Sequence, residues 1–187
     1  DDRAHPTFLI HGTVTGRLAC KDPNLMNIPR DKRLRGMFRA APGFVLIGGD
    51  ASQAELRSLA TLSKDPDLCE IYNSTDRSLH KEIATQYYGK DYTEDQLIRA
   101  KAVNFGIVYG RTAYTLAEEH GMTVAEAQDM IDAWFARFPV AHDFIMKCRA
   151  APARGQTIVT AFGRKRRPGL VTPDNVWNLE NEFANFP

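Results

Sequence analysis

The chain has 187 residues, 43% hydrophobic and 25% charged, with a formal net charge of +1. That length supplies one domain with a real core, or parts of two. No run approaches the roughly 18 apolar residues of a membrane span, the polar start DDRAHP is no signal peptide, and Cys20, Cys69 and Cys148, without a CxxC pair, argue against a disulfide framework or zinc site. The expectation is a soluble intracellular protein with reduced thiols.

In chain order, HPTFLIHGTVTGRLA (5–19) alternates enough to read as extended structure. DPNLMNIPR (22–30) and DKRLRG (31–36) are turn and loop material, and FVLIGGD (44–50) reads as a short buried strand ending in two glycines and an aspartate. From Ser52 the period changes: Ala54, Leu56, Leu59, Ala60 and Leu62 suit an amphipathic helix that stops near SKDPD (63–67). Residues 67–148 read as mostly helical, with breaks at Gly89, near Gly121 and at Phe138-Pro139. TIVTAFGRKRRPG (157–169) has the pattern of a hairpin broken by Gly163, and NVWNLENEFANFP (175–187) begins another helix. The fold class expected is α+β, with strands at both ends of the chain and a helical excursion between them. Neither end carries a natural cap or tail, so both are expected to be cut ends.

Three stretches invite a chemical reading. In RAKAVNFGIVYG (99–110), Lys101, Phe105 and Tyr109 drift by only about 40° per step and share a helix face. Gly106 and Gly110 form a second four-residue series, each costing about 1 kcal/mol against alanine inside a helix, which makes sense where something must come close. The alternative is two core aromatics and a snorkelling lysine. In GGDASQAELR (48–57), Asp50 at a strand end could hold a hard cation such as Mg²⁺, or could simply cap the following helix. Glu55 lies about 140° around the helix from Asp50 and does not extend the same ligand face. Between Asp143 and Asp174 no acidic residue occurs, whereas Lys147, Arg149, Arg154, Arg164, Lys165, Arg166 and Arg167 do. That field attracts polyanions, or it is a solvated basic face.

TGRLACKDPNLMNIP (15–29), DASQAELR (50–57), the Lys101/Phe105/Tyr109-Gly110 helix, TAFGRKRRP (160–168) and NEFANFP (181–187) stand in the order and near the spacing of one family. Together they resemble the family A DNA polymerases of the bacterial and phage polymerase I type, over nearly the whole chain. The resemblance implies a partial palm over 1–66 with antiparallel strands, helical fingers over 67–150 with a nucleotide-binding helix about 94–110, and a return toward the palm over 151–187. It implies template-directed DNA synthesis by nucleotidyl transfer to a primer 3′ hydroxyl, in replication or repair, with two Mg²⁺ ions. Primer-template DNA and deoxynucleoside triphosphates are the implied partners, for a monomer off the membrane in the cytoplasm of a bacterial or phage-infected cell.

By the same resemblance, Asp50 and the Ala51 carbonyl match metal ligands, although the family usually has an aromatic at Ala51. Glu55 matches a glutamate that packs on Tyr109 and closes the space of a ribose 2′-hydroxyl. Lys101 would meet the triphosphate, Phe105 its sugar, and Tyr109 the templating pocket, while Gln53 and His80 match further nucleotide contacts. Arg17, Asn27, Arg164 and Gly110 resemble duplex or template contacts. Such chemistry rests on positioning, metals and cations more than on a covalent nucleophile. Two metals about 3.5–4 Å apart would activate the hydroxyl and stabilise pyrophosphate.

Some positions depart from the pattern. Leu97 stands where an arginine usually precedes the lysine by four, and Arg99 lies about 200° from Lys101 and substitutes poorly. Ser78 replaces a common aspartate and Met26 a common glutamine. The family's second catalytic aspartate falls in a His-Asp-Glu motif well beyond Pro187. Ala141-His142-Asp143-Phe144 lacks the glutamate and reads as an ordinary helix start. With one carboxylate, this stretch alone is expected not to extend primers. Two other functions compete: a noncatalytic nucleic-acid-binding remnant, and a single-subunit RNA polymerase relative, against which Glu55 and Phe105 argue.

Overall fold

Backbone amides at a helix start need acceptors, and this sequence supplies them just ahead of several apolar periods. Asp65, Thr93, Thr112 and Thr123 each accept a backbone N–H from the turn that follows. At Thr93 the Gln96 side chain also reaches back to the Thr93 N–H at 2.7 Å, closing a capping box. The computed structural model describes residues 3–13, 15–29 and 31–184. Residues 185–187, the end of the NEFANFP motif, lie outside the described residues.

The chain divides into two compact units, Asp1–Ala51 and Ser52–Pro187. In the first, β1 (Thr7–Leu9) pairs antiparallel with β2 (Ala19–Lys21), Phe8 opposite Cys20. A 3₁₀ turn, Leu25–Asn27, is capped by Asn24, and the one-turn helix α1 (Lys32–Arg35) by Asp31. FVLIGGD is not the buried strand its composition predicts. Residues 44–50 carry no strand, and Phe44, Val45, Leu46 and Ile47 are 70–91% exposed. A strand is stabilised by a ladder partner, and the ladders among the described residues are β1 with β2 and, in the second unit, β3 with β4, so this run has none to join.

The second unit is helical: α2 (Ala54–Ser63), α3 (Pro66–Asn73), α4 (Leu79–Tyr88), α5 (Glu94–Val108), α6 (Ala113–His120), α7 (Val124–Arg137) and α8 (Pro139–Ala150). Helix breaks fall at Gly89, Gly121 and Phe138, as the sequence predicts, and two more fall where it predicts none, at residues 74–78 and 109–112. A 3₁₀ turn (Pro152–Arg154) leads to the short hairpin β3 (Ile158–Val159) and β4 (Lys165–Arg166), then to α9 (Val176–Ala184). The α+β expectation therefore holds, with two-stranded pairs toward both ends and helices between.

Leu56, Leu68, Leu79, Val103, Leu116 and Trp134 meet in one core, each at most 1% exposed. Two polar devices fix the helix ends around it. The buried Asp65 carboxylate accepts from Leu68 N at the start of α3 and from Val140 N and Ala141 N at the start of α8. Arg77 and Arg137 share the carboxylates of Asp67 and Glu82, tying α3, α4 and α7 at 2.6–3.2 Å. These arginines hold the Glu82 carboxyl below its ordinary range, Arg77 most strongly. The Ala141-His142-Asp143-Phe144 stretch lies in the first turns of α8, where His142 stacks on Phe135 with centroids 4.1 Å apart.

Candidate functional site

The end of α5 shapes the first part of the site. Arg111 N donates to Gly106 O at 2.8 Å and Gly110 N to Ile107 O at 3.2 Å, the paired bonds of a Schellman stop. Gly110 takes φ +67, so it lies past the helix rather than inside it, as its spacing from Gly106 had suggested. The left-handed residue that such a stop needs costs glycine little. Each glycine also admits a neighbouring helix: a Cβ on Gly106 would stand 2.9 Å from Leu116 of α6, and one on Gly110 2.6 Å from Asn181 Oδ1 of α9. The stop leaves Tyr109 as the C-cap, half exposed, one turn beyond Phe105 and two beyond Lys101.

Two other helices complete this face. His80, buried on α4, lies with its ring 5.4 Å from that of Phe105. Burial, and second the positive charge of Lys101, push the His80 imidazole down to about 4 from 6.5. Asn104, fully buried, joins His80 Nδ1 through Nδ2 at 3.0 Å and accepts from Trp134 Nε1 at 2.8 Å. From α2, Glu55 Oε1 accepts the Tyr109 hydroxyl at 2.9 Å. Lys101 Nζ lies 4.0 Å from Glu94, a loose pair at a half-exposed lysine.

The start of α2 is held by a small network. Gln53, its N-cap, adopts φ +55 and makes no side-chain cap bond. Tyr72 donates its hydroxyl to Gln53 Oε1 at 2.9 Å, while Arg57 reaches the carbonyls of Ser52 and Tyr72 and lies over the Tyr72 ring. Burial pushes the Tyr72 phenol well above its ordinary range. Asp50 is thus not the helix cap, nor does it end a strand; it and Ala51 are exposed at the end of the first unit. Its carboxylate and the Ala51 carbonyl are hard oxygen donors of the kind magnesium prefers. Among the described residues no group of three or more His, Cys, Asp or Glu gathers as a metal site.

The nucleic-acid candidates belong to both units. Arg17 is exposed in the first unit, its carbonyl accepting from Thr13 Oγ1 at 2.6 Å, and Asn27 is exposed at the end of its 3₁₀ turn. In the hairpin, Arg164, Lys165 and Arg167 are exposed, whereas Arg166 pairs with Glu182 and lies over the Phe183 ring. One arginine of the basic run is therefore structural. Leu97 is buried in the core, and Arg99 pairs with Glu126 at 3.3 Å and donates to Gly121 O at 2.9 Å. Ser78 caps α4 without a side-chain bond, and Met26 is exposed. Asn104 and Trp134 were not singled out from the sequence; an asparagine at an apolar helix position is the signal that points to them.

The family model described as DNA polymerase family A matches residues 1–181. The DNA polymerase I of Pseudomonas aeruginosa is 38% identical over 170 residues, which is 87% of this chain and 18% of that protein. The thermostable DNA polymerase I of Thermus aquaticus is 39% identical over 171 residues, 88% of this chain and 20% of that one. The chain thus spans about a fifth of the length of these curated relatives. The POL domain of Pol1 from M. smegmatis, solved in complex with DNA primer-template and dNTP, superposes with a TM-score of 0.78 at 29% identity, over 98% of this chain and 34% of that one.

Proposed function

Because this chain belongs to DNA polymerase family A, we propose that it supplies the nucleotide-facing part of a template-directed DNA polymerase, which transfers nucleotides to a primer 3′ hydroxyl. The observation that carries this reading is the face built by Lys101, Phe105 and His80 with the Tyr109 hydroxyl on Glu55. A charged amine, a neutral ring and an aromatic in succession suit the phosphates, sugar and base of a nucleotide. Lys101 binds the triphosphate, His80 adds a contact to it and Phe105 packs on the sugar. Glu55, held by Tyr109, occupies the side from which a ribose 2′-hydroxyl would enter, which favours deoxynucleotides over ribonucleotides. Gln53, pinned by Tyr72, sets the start of α2 beside it.

Asp50 and the Ala51 carbonyl would hold Mg²⁺, which when bound supplies electrostatic stabilisation of the phosphoryl oxygens. Arg17, Asn27, Arg164 and Gly110 face primer-template DNA in this reading, the cations through its phosphates. Residues 1–66 and 151–187 then belong to a palm and 67–150 to fingers. The setting is the bacterial cytoplasm, as a monomer. No helix among the described residues is long and apolar enough to cross a membrane.

Primer-template binding by this chain, measured by fluorescence anisotropy with Mg²⁺ and either the templated or a non-templated deoxynucleotide, tests the reading. Tighter binding with the templated nucleotide, reduced about 10–100-fold in its nucleotide requirement by Lys101→Ala, is the expected result. Salt-sensitive binding that ignores nucleotide identity would replace it with a noncatalytic nucleic-acid-binding module.

A further inference from the structure

The contacts of Asn104 leave one arrangement of protons. An indole Nε1–H only donates, so the Trp134 bond at 2.8 Å requires the Asn104 oxygen at that end of the amide. The amide nitrogen is thereby turned to His80 Nδ1 at 3.0 Å, and an NH₂ group only donates. Nδ1 must then be the acceptor and carry no proton. The single proton of a neutral imidazole sits on Nε2. Protonating the ring would set an Nδ1–H against the amide N–H.

The free end of the ring is the one that matters for binding. Among the described residues no fully buried side-chain nitrogen or oxygen lacks a hydrogen-bond partner. The hydrogen bond of His80 is made through Nδ1, so Nε2 retains contact with solvent although the residue is 7% exposed. From α5, Lys101 acts on this ring with its charge and Phe105 lies beside it; α7 contributes the neutral Trp134 through Asn104. On its own helix Lys81 is exposed and Glu82 is taken up by Arg77 and Arg137.

Resting on the nucleotide reading above, we propose that Trp134 and Asn104 are positioning residues that fix His80 as the neutral Nε2–H tautomer, so that it meets a polyphosphate as a hydrogen-bond donor. The relay sets the sign of the interaction. The other neutral tautomer would present a bare lone pair to anionic oxygens, which repels them. A protonated ring would add a second cation beside Lys101, whereas the relay supplies a directed donor without that charge. The low proton affinity of this buried ring keeps the donor form unchanged across the neutral range.

The experiment uses the whole chain with ¹⁵N-labelled histidine and lysine, long-range ¹H–¹⁵N spectra, and inorganic tripolyphosphate as the probe. Without ligand, His80 is expected to show a bare Nδ1 and a protonated Nε2 at neutral pH. A protonated Nδ1 in the unaltered chain would overturn the relay, whatever the variants do. Asn104→Asp offers a carboxylate to Nδ1 and should move the proton there and raise the His80 pKa; an unmoved proton would also overturn the proposal. Trp134→Phe frees the amide to turn, so a second tautomer should appear and tripolyphosphate binding weaken about threefold to tenfold. Added tripolyphosphate should shift both His80 Nε2 and the Lys101 amine. A shift at Lys101 alone would remove His80 and its relay from the nucleotide contact while leaving the nucleotide reading intact. No shift at either would remove that reading, and the proposal with it.

Discussion

Replacing Asp65 puts the largest test on the packing argument, because one carboxylate serves two helices. It is 1% exposed. Oδ1 accepts Leu68 N at 3.2 Å in α3; Oδ2 accepts Val140 N at 3.2 Å and Ala141 N at 3.1 Å in α8, whose own N-cap, Phe138, has no side-chain acceptor. Alanine removes all of these bonds. Losing a cap costs about 0.5–2 kcal/mol per helix, and a buried amide left without a partner about 1–3 kcal/mol. Asp65→Ala should therefore destabilise the fold by about 3–4 kcal/mol. Asparagine keeps one acceptor but turns an NH₂ toward one set of donors, for a loss of about 2 kcal/mol.

Urea unfolding followed by far-UV circular dichroism measures both. With a slope of about 2 kcal/mol/M for a chain of this size, the midpoint should fall by about 1.5–2 M for alanine and about 1 M for asparagine, with the slope unchanged. Asp91→Asn, at an exposed position between α4 and α5, controls for the loss of a carboxylate as such. If Asp65→Asn unfolds within about 0.3 M of that control, the double cap contributes nothing and the reasoning is refuted.

Gly110→Ala forces a side chain into φ +67 and against Asn181 Oδ1, so a loss of about 2–3 kcal/mol is expected in the same urea assay. Adding Asn181→Ala should recover part of it, and full additivity of the two losses would refute the contact. For His80, the unfolded ring takes up a proton near pH 6.5 but the folded ring only near about 4, so the unfolded state binds more protons in between. Stability should thus fall as pH is lowered through that window. His80→Gln should flatten the midpoint-against-pH curve there, and an unchanged slope would assign it to other groups.

Local signals made the helices legible. Glycine or Phe-Pro after an apolar period acts within one turn and marked the stops at Gly89, Gly121 and Phe138, whereas the caps Asp65, Thr93, Thr112 and Thr123, equally local, were not used and the stop before α6 went unseen. FVLIGGD failed because a strand is decided by its partners, and its composition carries no information about whether a ladder awaits it. Within the site, spacing alone put Lys101, Phe105 and Tyr109 on one face. The Tyr109–Glu55 hydrogen bond spans 54 positions and was foreseen from resemblance, since periodicity does not reach between helices. Asn104 stayed hidden because its value depends on His80 and Trp134, 24 and 30 positions away on other helices.

Leu97 and Arg99, four and two residues before Lys101, show how a sequence departure is absorbed by the fold. Arg99 is two residues away, so a regular helix turns it to the opposite side, and there it closes the junction of α6 and α7 through Gly121 O and Glu126. It cannot serve Lys101's face without breaking that junction. Leu97, one turn before Lys101, is instead buried, so returning an arginine there would place a guanidinium against the core and require a path to water. Of the residues argued for the nucleotide face, Lys101 then remains the cation. His80 complements it best as a neutral donor, because a second positive charge at that depth would go uncompensated whenever no anion is bound. On the proposed nucleotide reading, the leucine at 97 gives the buried relay behind His80 more weight in this chain.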